Sequence, residues 1–281
     1  MPPKSDPSVI PLWEGKPPHG QGDQERDIPS LTSVLPEKGP HPSPAVIVCP
    51  GGGYLGLATV HEGIAICEWF RERGIAGFML RYRLPGLCEA YRHPVPLLDV
   101  QRAIRLVRSR AAEWNLDPQR VAIMGLSAGG HVASTAATHF DSGDSTDPDP
   151  VNHQSSRPDF AVLAYPLISL KNGLTHIDSR ARLLGPDPDP ALIESLSNET
   201  QVTPQTPPTL LIHASDDRDV SIEHSRLMLA ALRKAGVPAA LHEYPAGGHG
   251  FGYGPNNYNN NGPVGWIESA YTWLKEEGFA A

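Results

Sequence analysis

The sequence predicts an α/β fold, a doubly wound and mostly parallel sheet with helices on both faces. Three observations carry that expectation. Seven apolar stretches of strand length recur along the chain, helical patterns separate them, and those patterns stop at glycines. In order, strands are expected at 31–35, 45–49, 75–82, 121–125, 160–165, 209–213 and 239–244. Between them, 62–73 is helical and stops at Gly74 and 222–235 stops at Gly236; after the last strand, 264–277 stops at Gly278. Leu97, Val100, Ile104, Val107, Ala111 and Trp114 recur at steps of three and four, the spacing of one buried helix face.

Length and composition set further bounds. At 281 residues the chain suits one large domain over 31–281, preceded by an extended arm at 1–30 rich in turn formers. Prolines cluster at 1–44, 146–158 and 185–208; within 183–208 the helix-like 191–196 makes that stretch a candidate small lid beside the site. The net charge of −8 offers no basic face, so neither nucleic acid nor an anionic membrane is an expected partner. The three cysteines show no C-x-x-C spacing and read as reduced structural thiols. The N-terminus has no apolar leader core, so a cytoplasmic location is expected, with secretion of a trimmed precursor left open. Oligomeric state is not legible.

The chemistry begins at 121–130, where an apolar strand runs into Gly125-Leu126-Ser127-Ala128-Gly129 and then a small-residue helix. This is a G-x-S-x-G nucleophile elbow in strand-to-helix context. A serine on so sharp a turn adopts strained angles, which requires tiny neighbours two before and two after. Its hydroxyl then stands above the carboxyl edge of the sheet, at a helix N-terminus that favours developing negative charge.

A serine hydroxyl needs a base, and the base an orienting acid. In this type of fold the acid and the histidine follow the serine in that order. After the strand ending at His213 come Asp216, Asp217 and Asp219 as competing acids. The turn resembles the H-x-x-x-D-x-x-V arrangement of many serine hydrolases; on that spacing Asp217 is chosen, with Asp219 as local support. Last comes His249, flanked by Gly247, Gly248, Gly250 and Gly252, which free a loop to carry an imidazole over a distant serine.

Pro50-Gly51-Gly52-Gly53-Tyr54 follows a strand, so the N–H groups of Gly52 and Gly53, with that of Ala128, are candidate oxyanion donors. A phosphate loop would need G-K-[ST] next, and a dinucleotide fold would need an earlier helix start and an acid after the following strand; neither is present. His61-Glu62 lacks the second histidine of H-E-x-x-H, since Ala65 stands there, so no metal and no cofactor are expected. His61, Glu62 and Tyr54 are the candidate substrate contacts. Tyr82 and Tyr253 are aromatic candidates for the same cleft or for the core.

Together these motifs resemble the α/β-hydrolase superfamily. The closer likeness is to its acetyl-xylan esterase and bifunctional feruloyl esterase-like branch, related to hormone-sensitive-lipase-type and dienelactone-type esterases. It rests on Pro-Leu-Trp-Glu-Gly at 11–15, Cys-Pro-Gly-Gly-Gly-Tyr at 49–54, His-Glu-Gly at 61–63 and Arg-Tyr-Arg-Leu at 81–84. Gly-Leu-Ser-Ala-Gly-Gly-His at 125–131 and Gly-Gly-His-Gly-Phe-Gly at 247–252 complete it. One departure is Pro50, where hormone-sensitive-lipase-type enzymes carry histidine before the glycines. The resemblance implies a serine esterase using Ser127, Asp217 and His249 on short-chain acyl esters, with acetylated sugars or xylo-oligosaccharides favoured. A prolyl-oligopeptidase-like peptidase, a feruloyl or aryl esterase, and a non-catalytic binding module on the same scaffold are the alternatives.

Overall fold

The structure is a computed structural model that describes residues 7–254 and 262–280. One eight-stranded sheet runs through it in the order β1-β2-β4-β3-β5-β6-β7-β8. The strands are β1 (Ser8–Pro11), β2 (Ser30–Val34), β3 (Ser43–Cys49), β4 (Ala76–Arg81), β5 (Leu116–Leu126), β6 (Phe160–Ala164), β7 (Thr209–Ala214) and β8 (Ala239–Tyr244). β1, β2 and β4 pair antiparallel, and every pair from β4 through β3 to β8 is parallel.

The inner strands β3 to β7 carry near-continuous apolar runs because both faces are covered there. Alternation then assigns each residue to a face: Ala45, Ile47 and Cys49 join one core cluster, Val46 and Val48 the other. The first face is covered by α2 (Val95–Ser109), α3 (Ala111–Trp114), α4 (Ala128–Thr138) and α7 (Glu223–Lys234). The second is covered by α1 (Ala65–Arg71) and α8 (Trp266–Glu276). Two short helices, α5 (Ile177–Leu184) and α6 (Pro190–Ser195), lie in the β6–β7 connection. Among the described residues no helix is long and apolar enough to cross a membrane.

Register positions the chemistry. Cys49 pairs with Gly125, Leu126 with Ala164, Ala164 with Ile212, and Ala214 with Tyr244. The carboxyl ends of β3, β5, β6, β7 and β8 therefore meet on one edge. The segments that leave them carry Gly51–Gly53, Ser127, Tyr165, Asp217 and His249.

The described part of the 1–30 arm, from residue 7, is built into this sheet. β1 is its edge strand, Leu12 is buried in the core, and the buried Arg102 guanidinium donates to the Leu12 carbonyl at 2.8 Å. Arg83, wholly buried, donates to the Pro18 carbonyl at 2.6 Å and forms a forked pair with the equally buried Asp99. β1 escaped the sequence pattern because it is a short, exposed edge strand ending in proline. Removing one partner of a buried pair leaves an uncompensated charge. Asp99→Ala is accordingly expected to lower unfolding stability by about 3–5 kcal/mol in urea titration; a loss under about 1 kcal/mol, the range of surface pairs, would show that the pair does not pin the arm.

The stretch 183–208 packs on α4 and the core. Leu183 and Leu196 are buried, and the Asn198 amide donates to the Ser134 and Thr135 hydroxyls at 2.7 and 3.0 Å. None of its residues lines the cleft at Ser127; His176 and Ser179, just before it, do.

Candidate active site

Ser127 joins β5 to α4 with φ 54° and ψ −121°, a conformation that L-residues keep only where the surroundings enforce it. Its N–H donates to the Ala164 carbonyl, and its own carbonyl accepts from Gly130 and Leu167. The flanking glycines answer to close approach: a Cβ on Gly125 would lie 2.2 Å from the Gly129 carbonyl oxygen, and one on Gly129 would lie 2.1 Å from that of Cys49. The elbow can thus press against both the sheet and its own helix.

The Ser127 hydroxyl lies 2.7 Å from His249 Nε2, and His249 Nδ1 lies 2.7 Å from Asp217 Oδ2. With Nδ1–H donating to the carboxylate, Nε2 carries the lone pair that accepts the serine proton. Asp217 is more heavily engaged than the sequence suggested. Oδ2 also accepts from His213 Nε2 at 3.2 Å, while Oδ1 accepts the N–H groups of Asp219 and Val220 at 3.0 and 2.9 Å. His213 is fixed in turn, its Nδ1 accepting from the Ser225 hydroxyl at 2.8 Å. Burial by itself would raise the Asp217 carboxyl. The hydrogen bonds from His213 and His249, the nearby imidazole charge and the Val220 N–H outweigh it, leaving the carboxyl well below its ordinary range. Asp216, the competing acid, accepts the Gly248 N–H at 2.8 Å and so steadies the histidine loop. Gly248 and Gly250, on either side of His249, have φ of 61° and 71°, which glycine adopts without strain.

The N–H groups of Gly52, Gly53 and Ala128 donate to no acceptor among the described residues, and all three residues line the cleft with Ser127. Arg182 of α5 anchors the glycine loop by donating to the Gly53 carbonyl at 2.9 Å. The cleft has a volume of about 340 Å³. Ala58, Leu167 and Val220 give it apolar wall, while His61, His176, Ser179 and Asp219 give it polar wall.

Glu62 also borders the cleft, but it is only 3% exposed and both its oxygens are engaged. Oε2 accepts the Gly51 N–H at 2.7 Å and Oε1 accepts the Tyr165 hydroxyl at 2.9 Å. Burial raises its carboxyl above the ordinary range, opposed by those two bonds and by the charges of His61 and His249. The expectation that Tyr54 contacts substrate is corrected. Its ring is buried, it does not line this cleft, and its hydroxyl donates to His131 Nδ1 at 2.7 Å. The His131 Nε2–H donates to the Leu196 carbonyl, and burial lowers this imidazole to about 4. Tyr82 is likewise buried and donates to the Pro50 carbonyl at 2.8 Å. Among the described residues no group of three or more His, Cys, Asp or Glu could hold a metal ion.

Sequence reasoning missed His176, Ser179, the His213 contact and Tyr165. Tyr165 left a usable signal, since it follows the strand next to the nucleophile strand at its carboxyl end. His176 and Ser179 left little. α5 is short and capped by the His176 side chain, which accepts the Ser179 N–H, rather than by one of the usual capping residues.

Comparison with known proteins agrees with this architecture. A solved structure of an acetyl ester-xyloside bifunctional hydrolase from Caldicellulosiruptor lactoaceticus superposes with a TM-score of 0.89 at 42% identity, covering 98% of this chain and 97% of that one. An acetylxylan esterase of Xylanibacter ruminicola is 38% identical over 229 residues, 80% of this chain. An endo-1,4-beta-xylanase B of Butyrivibrio fibrisolvens is 37% identical over 205 residues. The matched regions span 44% and 32% of those two relatives. The sequence profile of the BD-FAE family matches residues 31–232, and with the elbow, the sheet and the convergent Ser127, His249 and Asp217 in place, the chain belongs to the BD-FAE family of α/β-hydrolases.

Proposed function

We propose that the chain is a serine carboxylesterase that removes short acyl groups, acetyl foremost, from acetylated sugars or xylo-oligosaccharides. The observation that carries the reaction class is the unbroken relay from the Ser127 hydroxyl through His249 to Asp217, beside N–H groups with no other acceptor among the described residues. Ser127 Oγ attacks the ester carbonyl as its proton passes to His249 Nε2. The imidazolium formed is held by Asp217, and the tetrahedral oxyanion takes N–H bonds from Gly52, Gly53 and Ala128. His249 returns the proton to the departing alcohol oxygen, leaving an acyl-serine. Water then enters, gives a proton to His249, and releases the acid as Ser127 recovers its own.

The substrate class draws on the relatives, one named an acetylxylan esterase and one an acetyl ester-xyloside hydrolase. It draws also on the cleft, whose polar wall suits an alcohol half rich in hydroxyls. A volume of about 340 Å³ lies at the small end of ligand sites. A series of p-nitrophenyl esters is expected to show kcat/KM falling at least about 100-fold from acetate to laurate, because a chain too long for the small cleft must displace packed wall atoms, at a cost of about 1–3 kcal/mol. Acetate release from acetylated xylo-oligosaccharides tests the natural substrate. A flat or rising chain-length profile would point to lipase-like binding, and absence of acetate release alongside p-nitrophenyl acetate turnover would remove the sugar assignment.

A further inference from the structure

Glu62 is a buried carboxylate that the reaction above does not use, and its hydrogen bonds lead to both halves of the catalytic apparatus. On one side its Oε2 holds the N–H of Gly51, the residue before the proposed donors Gly52 and Gly53. On the other, its Oε1 accepts from the Tyr165 hydroxyl, and that same hydroxyl oxygen accepts the N–H of Gly252 at 3.0 Å, three residues beyond His249. The Tyr165 ring also packs edge-on against the His249 imidazole, centroid to centroid 5.1 Å.

Backbone bonds run beside the side-chain bonds. The Ala58 N–H donates to the Gly51 carbonyl at 3.0 Å, and the Tyr253 N–H to the His61 carbonyl at 2.7 Å. Both ends of the carboxylate's network sit on unusual backbone. Glu62 lies in a π-helical turn, Val60–Ile64, whose extra residue per turn changes the direction in which its side chain leaves the helix. Tyr165 holds φ at +37°, which a bulky residue keeps only under constraint.

We propose that Glu62 is a positioning residue for both catalytic loops at once: its one carboxylate aims the oxyanion donors through Gly51 and the base through Tyr165 and Gly252. The inference rests on the esterase reading and adds a residue to it. Proton counting makes the charged form specific. A carboxylate accepts from Gly51 and Tyr165 while Tyr165 accepts from Gly252, so every donor has an acceptor. An amide at 62 can accept from Gly51, but its NH₂ then faces the tyrosine hydroxyl. That oxygen would receive two N–H groups, and its own proton would have no acceptor on residue 62. One of the two ties must loosen.

The test is steady-state kinetics of Glu62→Gln, Tyr165→Phe and the double variant on p-nitrophenyl acetate, beside the wild type. Glu62→Gln is expected to lower kcat about 10–100-fold with KM within about threefold, the signature of misaimed groups rather than lost binding. Tyr165→Phe, which retains the carboxylate and removes only the link to Gly252, is expected to lower kcat about tenfold and serves if Glu62→Gln does not fold. The double variant is expected to be no slower than the slower single, because both cut one chain of contacts. Three results would overturn the inference: folded single variants with kcat within twofold of wild type, a raised KM at unchanged kcat, or losses that multiply. A wild type that turns over no ester would remove the esterase reading and this inference with it, whereas an active wild type with unaffected variants removes the inference alone.

Discussion

Ser127→Ala is expected to lower kcat/KM on p-nitrophenyl acetate by about 10⁵–10⁶-fold, and His249→Ala by a similar factor, with the double variant no worse than either. The equality follows from the geometry. Ser127 Oγ and His249 Nε2 are joined at 2.7 Å, so losing the base leaves a hydroxyl with nowhere to send its proton. The residual rate over water would come from the N–H donors at Gly52, Gly53 and Ala128, which neither substitution removes. Any one such donor is typically worth about 3 kcal/mol in the transition state. Retention of more than about a tenth of wild-type activity by Ser127→Ala, far above what oxyanion-hole and binding contributions sustain, would mean that another group attacks the ester.

Asp217→Asn is expected to cost about 10⁴-fold in kcat, and this site offers a particular reason for so large a loss. The four groups bonded to the carboxylate are all N–H donors: His213 and His249 on Oδ2, Asp219 and Val220 on Oδ1. An asparagine must turn its NH₂ toward one pair of them. If it faces His249, the ring must take its proton on Nε2 and can no longer accept one from Ser127. If it faces Asp219 and Val220, two backbone donors lose their acceptor and the turn is disturbed. In the wild type, Asp217 has its folded-state pKa depressed below the unfolded value. Its contribution to stability is therefore present above the usual aspartate range and is lost as pH falls through the depressed value, so unfolding linked to this carboxylate is expected only below about pH 4. Near-wild-type activity in Asp217→Asn would show that the acid does not orient the base.

How much of this was legible in the sequence depended on how local the cause was. Gly125 and Gly129 are dictated by contacts within one turn and its neighbouring strand, so the elbow is spelled out in five consecutive residues. The inner strands β3 to β7 were legible because a sheet covered on both faces demands apolar runs, whereas the edge strand β1 is short, exposed and ends in proline. Asp217 stood out from Asp216 and Asp219 by its spacing from His213 and Val220, and the structure gives that spacing a cause, since both residues bond to its carboxylate. Tyr54 was misread because an aromatic residue beside a glycine loop looks the same whether it turns toward the cleft or toward His131. Glu62 borders the cleft, yet its hydrogen bonds reach partners 11 residues before it and 103 after it, which no local pattern encodes. His176 and Ser179 enter from a connection whose path is set by how α5 docks on the glycine loop through Arg182.

The most direct test of the central claim is to treat the protein with a fluorophosphonate and locate the adduct by peptide mass spectrometry. The account predicts one phosphonyl group per chain, on Ser127, formed quickly by the wild type and slowly by His249→Ala, in parallel with loss of esterase activity. Labelling at another residue, or full activity remaining after Ser127 is completely modified, would contradict it.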